Sequence, residues 1–513
     1  MKTPQATLGT RRAFLAEVGR TTIAATIGPA LAAELGISTS ALAEAPTKRL
    51  SLGSFESLAE VLEQTPVEVL QPLLVAKLKS GVSLKQLTAA AALVNARRFG
   101  GEDYIGFHTF MALSPALRMS SLMPAGQEAL PVLKVLYRNT ARLHDSGRTD
   151  DSLTPLQADA ESGAVRELIV KKKRAAAESA LERALREDKH EALASLLTSV
   201  CDNPEVHRTA LPYRAWDMAE LVGAEHALTL LRQSVHYCFD AERARTAEWD
   251  KHAQMLARML DAHKLHHFSP GTKTASDELV KELASTFATK SPDEAAEAAA
   301  STLADGVDPR AIGEAMSLAA SRLVLCDPGR QPQWEGPGKP AGSVHGDSTG
   351  VHASDAANAW RNLAHAGDGR HTATCLVMGA WIIARDRGTG PLLPQLPTKR
   401  LVDGVRGKSG EELGKELAEA IRDNQQAHAA AVVERMGQLG ISDKLVFRRL
   451  LRFAVSEDGA LHAEKYFHTV WDDFQITRPS MRWQHLTALA RVTASEFGRP
   501  APGQEEAREL LGV

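Results

Sequence analysis

The sequence predicts an all-α protein, a helical array built from two diverged, pseudo-symmetric repeat units. Apolar residues recur at steps of three and four in nearly every segment, as at Leu58, Val61 and Leu62, which is the period of an amphipathic helix. Alternating runs of β-branched residues are scarce and aromatic residues make up 5% of the chain, which disfavours strands. An internal repeat is the third observation.

The repeat relates residues 58–98 to residues 283–323. Both segments have a helix, a proline-containing turn, a second helix, a Gly-Val turn and an alanine-rich helix. Each leads to the pattern Asp-x-x-Gly-x-His, at 103–108 and at 347–352. Two copies of a helical unit often bury their apolar faces against each other. We therefore predict one pseudo-symmetric domain.

The first 43 residues predict export. Arg11 and Arg12 precede a weakly apolar run from Thr21 to Ala33, and residues 41–43 form a small-x-small cleavage site. This order of basic, apolar and small regions is typical of an export signal, and the arginine pair resembles the Tat (twin-arginine) class. The resemblance, which covers the signal alone, implies the Tat export machinery as a partner and a periplasmic or otherwise exported protein. It also implies transport of a folded chain, often with its cofactor.

The predicted organisation follows the breaks that are rich in turn-forming residues. A Tat-type signal peptide spans 1–43 and a first helical unit spans 44–268. A second unit spans 269–390, and a C-terminal helical segment, 391–513, packs on the array.

Composition excludes several classes. The 60 basic and 63 acidic residues nearly balance, so no attraction to nucleic acid is expected. Beyond the signal no apolar run reaches the about 18 residues that span a bilayer. The four cysteines form no CxxC or CxxCH, which argues against a zinc ribbon, a thioredoxin-like centre and c-type haem. Dinucleotide-binding, P-loop and α/β-hydrolase motifs are missing from the sequence as well.

The paired Asp-x-x-Gly-x-His pattern is the main candidate for chemistry. An aspartate and a histidine near a helix start suit a metal ligand with an orienting carboxylate, or a general base. Alternatively, the aspartate caps the helix and the histidine packs against a neighbour. Recurrence favours function, so we predict His108 and His352 as metal ligands that face one shared cavity, with Asp103 and Asp347 as the catalytic, orienting carboxylates.

Further histidines occupy suggestive positions. His207 and His226 are separated by the same interval as His352 and His371, which indicates a second repeat relation. Others lie four residues from an aspartate or a cysteine on a predicted helix, a spacing that suits an oriented ligand or a ligand pair. The additional predicted metal ligands are His226, His236, His371 and His468.

These observations predict an exported, metal-dependent oxidoreductase with a histidine-lined pocket between helical repeats, acting on a small-molecule substrate. The cofactor would be a transition metal, iron or copper, or a b-type haem held by two histidines. One alternative is a non-catalytic helical-repeat protein that binds a periplasmic partner or ligand. Another is an α/α-toroid acting on glycans, with Asp103 and Asp347 as its carboxylate pair.

Overall fold

The computed structural model describes residues 49–147, 150–156, 161–346, 348–388, 390 and 392–513. In this part of the chain 72% of the residues are helical and no strand is present, so the all-α prediction is confirmed. The 23 α-helices are α1 (Glu56–Gln64), α2 (Leu70–Lys79), α3 (Leu84–Phe99), α4 (Tyr104–Ser120), α5 (Leu130–Asp145), α6 (Val165–Val170), α7 (Arg174–Glu187), α8 (Lys189–Val200), α9 (Val206–Val222), α10 (Ala224–Ala241), α11 (Ala247–Ala262), α12 (Asp277–Thr289), α13 (Pro292–Ala304), α14 (Pro309–Cys326), α15 (Thr349–Ala364), α16 (Gly369–Asp386), α17 (Lys399–Asp403), α18 (Gly410–Arg422), α19 (Gln426–Gln438), α20 (Asp443–Ser456), α21 (His462–Ile476), α22 (Trp483–Glu496) and α23 (Gln504–Leu511).

Local sequence sets many helix ends. Ser83 begins α3 with a capping box that includes Gln86, and Ser291 does the same for α13. In such a box each side chain accepts a hydrogen bond from the other residue's backbone N–H, which satisfies donors that the first turn leaves free. Gly100 ends α3 in the left-handed region, with φ of 57°, a conformation that costs glycine little.

Four helices form the centre of the molecule, and we call them the central bundle: α4, α9, α15 and α21. They pack in cyclic order, α4 against α9, α9 against α15, α15 against α21 and α21 against α4. The four run parallel, because their first turns meet at one end. Near the other end, Arg118 of α4 pairs with Asp217 of α9, and Arg361 of α15 pairs with Asp472 of α21.

Each central helix is followed in the chain by a helix that packs against it: α5, α10, α16 and α22. The bundle draws α4 and α9 from the predicted first unit, α15 from the predicted second unit and α21 from the predicted C-terminal segment. The two-unit pseudo-symmetry therefore stays a prediction.

None of the helices in the described ranges combines the length and the apolar character that crossing a membrane requires.

Candidate functional site: a ring of four imidazoles

The first turns of the four central helices each carry one histidine, and the four imidazoles form a closed ring. Ring centroids lie 4.8 Å apart for His108 and His207, and 5.3 Å apart for His207 and His352. The separation is 5.8 Å for His352 and His462, and 5.2 Å for His462 and His108. We call this set the four-histidine ring. The parallel bundle thus gathers residues that lie hundreds of positions apart.

In the first Asp-x-x-Gly-x-His element the aspartate starts a helix. Asp103 is the N-cap of α4, and its Oδ1 accepts a hydrogen bond from the backbone N–H of Gly106 at 2.7 Å. The same carboxylate binds the guanidinium of Arg142 at 2.5–2.8 Å. His108 is oriented instead by the carbonyl of Tyr104, 2.6 Å from Nδ1. The described contacts of Asp103 are therefore those of a helix N-cap that also pairs with an arginine. Asp347 lies outside the described residues.

Three ring histidines have their Nδ1 hydrogen anchored on an oxygen. The acceptors are the Tyr104 carbonyl for His108 (2.6 Å), the Glu205 carboxylate for His207 (3.1 Å) and the Ala460 carbonyl for His462 (3.1 Å). Carbonyl and carboxylate oxygens can only accept, so each Nδ1 carries a hydrogen. In a neutral imidazole the other nitrogen, Nε2, then holds a lone pair.

The Nε2 atoms of His108, His207 and His462 are buried and have no hydrogen-bond partner among the described residues. Buried polar atoms nearly always have a partner, so three such atoms in one cluster require an explanation. The side chains themselves are well covered, with His108 and His462 each 3% exposed. The arrangement presents imidazole lone pairs to a buried space, which is the form in which histidine binds metals.

The turn before His462 is strained. Ala460 and Leu461 have φ angles of 47° and 67°, in the left-handed region that side chains with a Cβ disfavour by about 1–2 kcal/mol per residue. This turn delivers the Ala460 carbonyl to Nδ1 of His462. Strained backbone persists where the surrounding structure holds it, and it clusters at functional sites.

A buried lysine lies beside the ring. The Nζ of Lys465 on α21 is 3.7 Å from Oδ2 of Asp355 on α15, and Oγ1 of Thr469 donates to the other oxygen of Asp355 at 3.1 Å. Burial lowers the pKa of Lys465 itself. Burial also lowers the pKa of His108 and of His462 far below their usual range, and the nearby Lys465 charge adds to the effect. Both imidazoles are therefore neutral at pH 7.

Aromatic side chains cover the ring. The Tyr104 ring lies 4.4 Å from His108, and Phe107 stacks on His108 at 4.9 Å between centroids. Tyr104 is nonetheless 56% exposed, so the ring lies one side chain below the surface. A surface groove of about 850 Å³ reaches Ser348 and Thr349 at the start of α15, the helix that carries His352. A small molecule could therefore lie near this end of the bundle.

Two of the other predicted ligands lie on α10, outside the ring. His226 contacts the Phe55 ring, with centroids 5.8 Å apart. His236 lies between two carboxylates, with Nδ1 3.1 Å from Glu102 and Nε2 2.7 Å from Glu178. Both nitrogens of His236 are thus engaged in hydrogen bonds.

The remaining two also lie apart from the ring. Nε2 of His371 donates to the Leu363 carbonyl at 2.7 Å and lies 3.6 Å from the Cys375 sulfur. Burial raises the pKa of that thiol well above its usual range, so the pair holds no thiolate. His468 lies further along α21, where burial, with the Arg214 charge, lowers its pKa to about 3.

Sequence reasoning missed two ring members, His207 and His462. The equal spacing of His207–His226 and His352–His371 contained the signal for the first. In the structure it relates the pair α9–α10 to the pair α15–α16, with the leading histidine of each pair in the ring. His462 follows a turn in which Asp458 and Gly459 are typical turn residues, whereas the left-handed Ala460 and Leu461 are not.

Among the described residues, no group of three or more His, Cys, Asp or Glu side chains is already arranged to hold a metal ion. The imidazoles would have to turn for their Nε2 atoms to converge. Comparison with known proteins gives no match to a family model, to a curated protein or to a solved structure.

Proposed function

We propose that this chain is an exported metal-dependent oxidoreductase whose iron or copper ion is bound by the four-histidine ring. The observation that carries the proposal is the shared tautomer of three imidazoles, whose Nδ1 hydrogens are anchored on oxygens while their Nε2 lone pairs face a buried space. Ligating histidines almost always have their other nitrogen anchored in this way. The proposed ligands are His108, His207, His352 and His462.

The size of the ring fits a single ion. Imidazole nitrogens bind such metals at about 2.0–2.1 Å. Four rings bound to one ion then have neighbouring centroids roughly 5 Å apart, because each centroid lies about 3 Å from the metal. The observed separations of 4.8–5.8 Å bracket that value. Small side-chain rotations, rather than backbone movement, would bring the nitrogens together.

The same dimensions favour an ion over a b-type haem. Two axial histidines must lie on opposite faces of a porphyrin, with the macrocycle between them. The four imidazoles of the ring instead contact one another in T-shaped or tilted pairs, which leaves no gap for a macrocycle. Imidazole ligands suit copper and iron ions.

The surrounding residues would set the chemistry of the site. When bound, iron or copper supplies one-electron transfer. Tyr104 and Phe107 exclude bulk water from the imidazoles, and burial keeps His108 and His462 neutral and ready to bind. The Lys465–Asp355 pair places a polar, titratable group within the electrostatic reach of the ring.

The glycan-active alternative has less support. It requires two carboxylates in a groove, and Asp103 is engaged by Arg142 and by the start of α4. At the N-terminal end of the central bundle the described side chains that face one another are the four imidazoles. We retain the non-catalytic scaffold as the outcome if no metal binds.

Export by the Tat route is part of the proposal. Its support is the arginine pair at Arg11 and Arg12, in residues outside the described part of the chain. Tat substrates fold before transport, so a metal could enter the ring in the cytoplasm. The pseudo-symmetric relation of the two units also remains part of this proposal, supported by the parallel entry of His108 and His352 into one ring.

The test is metal content. The full chain, exported through its own signal, is analysed for metals by mass spectrometry and then titrated with Fe²⁺, Cu²⁺ and Zn²⁺ after chelation. We expect about one ion per chain, lost in His207→Ala and in His462→Ala, while helical content by circular dichroism is retained. A wild-type protein that binds neither Fe²⁺ nor Cu²⁺ in stoichiometric amounts would refute the proposal, and one that also binds no Zn²⁺ would favour the scaffold.

A further inference from the structure

The imidazole of His207 differs from those of His108 and His462 in the kind of oxygen that anchors it. His108 and His462 donate to neutral backbone carbonyls, whereas His207 donates to the carboxylate of Glu205. A carboxylate attracts the Nδ1 hydrogen more strongly than a carbonyl does, and this raises the basicity of Nε2 toward a metal. His207 is therefore the most electron-rich of these three imidazoles.

Glu205 is held in place from several directions. It is the N-cap of α9, and its oxygens accept from the backbone N–H groups of His207 at 3.0 Å and Arg208 at 2.6 Å. Its Oε1 also accepts from the hydroxyl of Tyr237 at 2.9 Å. These hydrogen bonds fix the carboxylate beside Nδ1 of His207.

We propose that Glu205 is a positioning residue that makes His207 a stronger donor than His108 and His462, and that Tyr237 moderates this effect through its hydrogen bond to Glu205. The inference rests on the proposed metal site. A hydrogen bond from Tyr237 withdraws electron density from the carboxylate, which weakens its pull on the His207 hydrogen. The two residues therefore act on the metal in opposite directions.

The two variants Glu205→Gln and Tyr237→Phe should change the donor strength of His207 in opposite directions, and this distinguishes the proposed role from a merely structural one. Glu205→Gln removes the charge but keeps an oxygen that can cap α9, so it weakens the donor strength of His207. Tyr237→Phe removes the moderating hydrogen bond to Glu205 and therefore increases the donor strength of His207. A general loosening of the site would instead shift both variants in the same direction.

The experiment uses the full chain with Cu²⁺ alone as the probe, because Cu²⁺ binds nitrogen sites most tightly among the divalent first-row metals. Affinity is measured by competition with a chelator, and the ligand field by the visible absorption band of the bound ion. We expect Glu205→Gln to lower affinity by about 10- to 100-fold and to move the band to lower energy. Tyr237→Phe should move the band to higher energy.

A matched control is Asp368→Asn. Asp368 is the N-cap of α16, and its carboxylate accepts from the backbone N–H of His371 at 2.9 Å, yet His371 lies outside the ring. This variant should leave both readouts unchanged. If wild type binds Cu²⁺ and Glu205→Gln matches it, or if both variants shift the band the same way, the role of Glu205 is refuted and the metal site stands. If wild type binds no Cu²⁺, the role of Glu205 is refuted, and the titration with Fe²⁺ decides whether the proposed metal site fails with it.

Discussion

His108 donates its Nδ1 hydrogen to the backbone carbonyl of Tyr104, four residues earlier, across 2.6 Å. This hydrogen bond determines which nitrogen of the imidazole carries the hydrogen and which stays available. It fixes the tautomer, leaves the lone pair on Nε2 and leaves Asp103 for the helix start. The helix backbone thus supplies the orienting oxygen that the sequence pattern led us to expect from the aspartate.

A first prediction separates ligand loss from loss of packing. His108→Ala should abolish metal binding, since it removes one of a few strong bonds, and should lower stability by about 1–3 kcal/mol. The matched control is His485→Ala, because His485 is fully buried but has both nitrogens engaged, by Ser321 and Thr477. That variant should lose similar stability and keep the metal. Equal metal content in the two folded variants would argue against the ring as the site.

Local signals in the sequence are sufficient to predict the fold class and to indicate where many helices begin. Capping residues such as Ser83 and Ser291 act within one turn of their own position, so the sequence reveals them directly. The duplicated pattern also pointed to His108 and His352 as residues of one site, and both lie in the ring. That they bind a metal stays a prediction.

The rest of the ring could not be predicted because it depends on long-range packing. His108 meets His462 only because α4 packs against α21 near the far end of the chain. The strained turn before His462 contains Gly459, but nothing in the sequence indicates that Ala460 and Leu461 after it are left-handed as well. His236, by contrast, had a helical spacing that suited a ligand, yet packing places carboxylates from two other segments on its nitrogens.

A second prediction concerns pH. Burial lowers the pKa of His236, but hydrogen bonds to Glu102 and Glu178 outweigh it and raise that pKa above the ordinary value. Arg174 and Arg232, which pair with the same carboxylates, are the facing cations. A raised folded-state pKa stabilises the protein fully below the unfolded pKa of about 6.5. This stabilisation is lost as the pH rises through the folded-state pKa.

His236→Gln should therefore cost more stability in acid than in base. We expect a loss of about 1.5–3 kcal/mol at pH 6, the usual contribution of hydrogen bonds to charged groups, and a smaller loss at pH 9. Urea unfolding of wild type and variant at both pH values measures the difference. A loss that is the same at pH 6 and pH 9 would mean that folding does not raise the pKa of His236.

A third prediction concerns export. Replacing Arg11 and Arg12 with lysine should stop the appearance of mature protein in the periplasm, because Tat signals depend on the arginine pair. The cytoplasmic product should remain folded and able to bind metal, since the four ring histidines belong to the body of the chain. Cell fractionation and immunoblotting give the distribution. Unchanged export of the lysine variant would exclude the Tat route while leaving the ring untouched.

The last prediction tests a buried ion pair that connects an outer helix to the central bundle. Nζ of Lys134 on α5 lies 2.6 Å from Oε1 of Glu464 on α21, and both side chains are fully buried. Lys134 also donates to the carbonyls of Ala454 and Glu457. Lys134→Met would leave the Glu464 carboxylate buried without its cation, and such a change typically costs about 3–5 kcal/mol.

Two further variants show whether the cost comes from the orphaned charge. Lys134→Met combined with Glu464→Gln removes both charges and should recover part of the loss, since replacing a buried pair is far cheaper than breaking it. Lys171→Met breaks the exposed pair with Glu167, whose side chains are 56% and 54% exposed, and should cost less than about 1 kcal/mol. Denaturant unfolding of the four proteins completes the comparison. If the double variant is no more stable than Lys134→Met, the loss arises from packing around the lysine stem, and the charge of Glu464 contributes little to it.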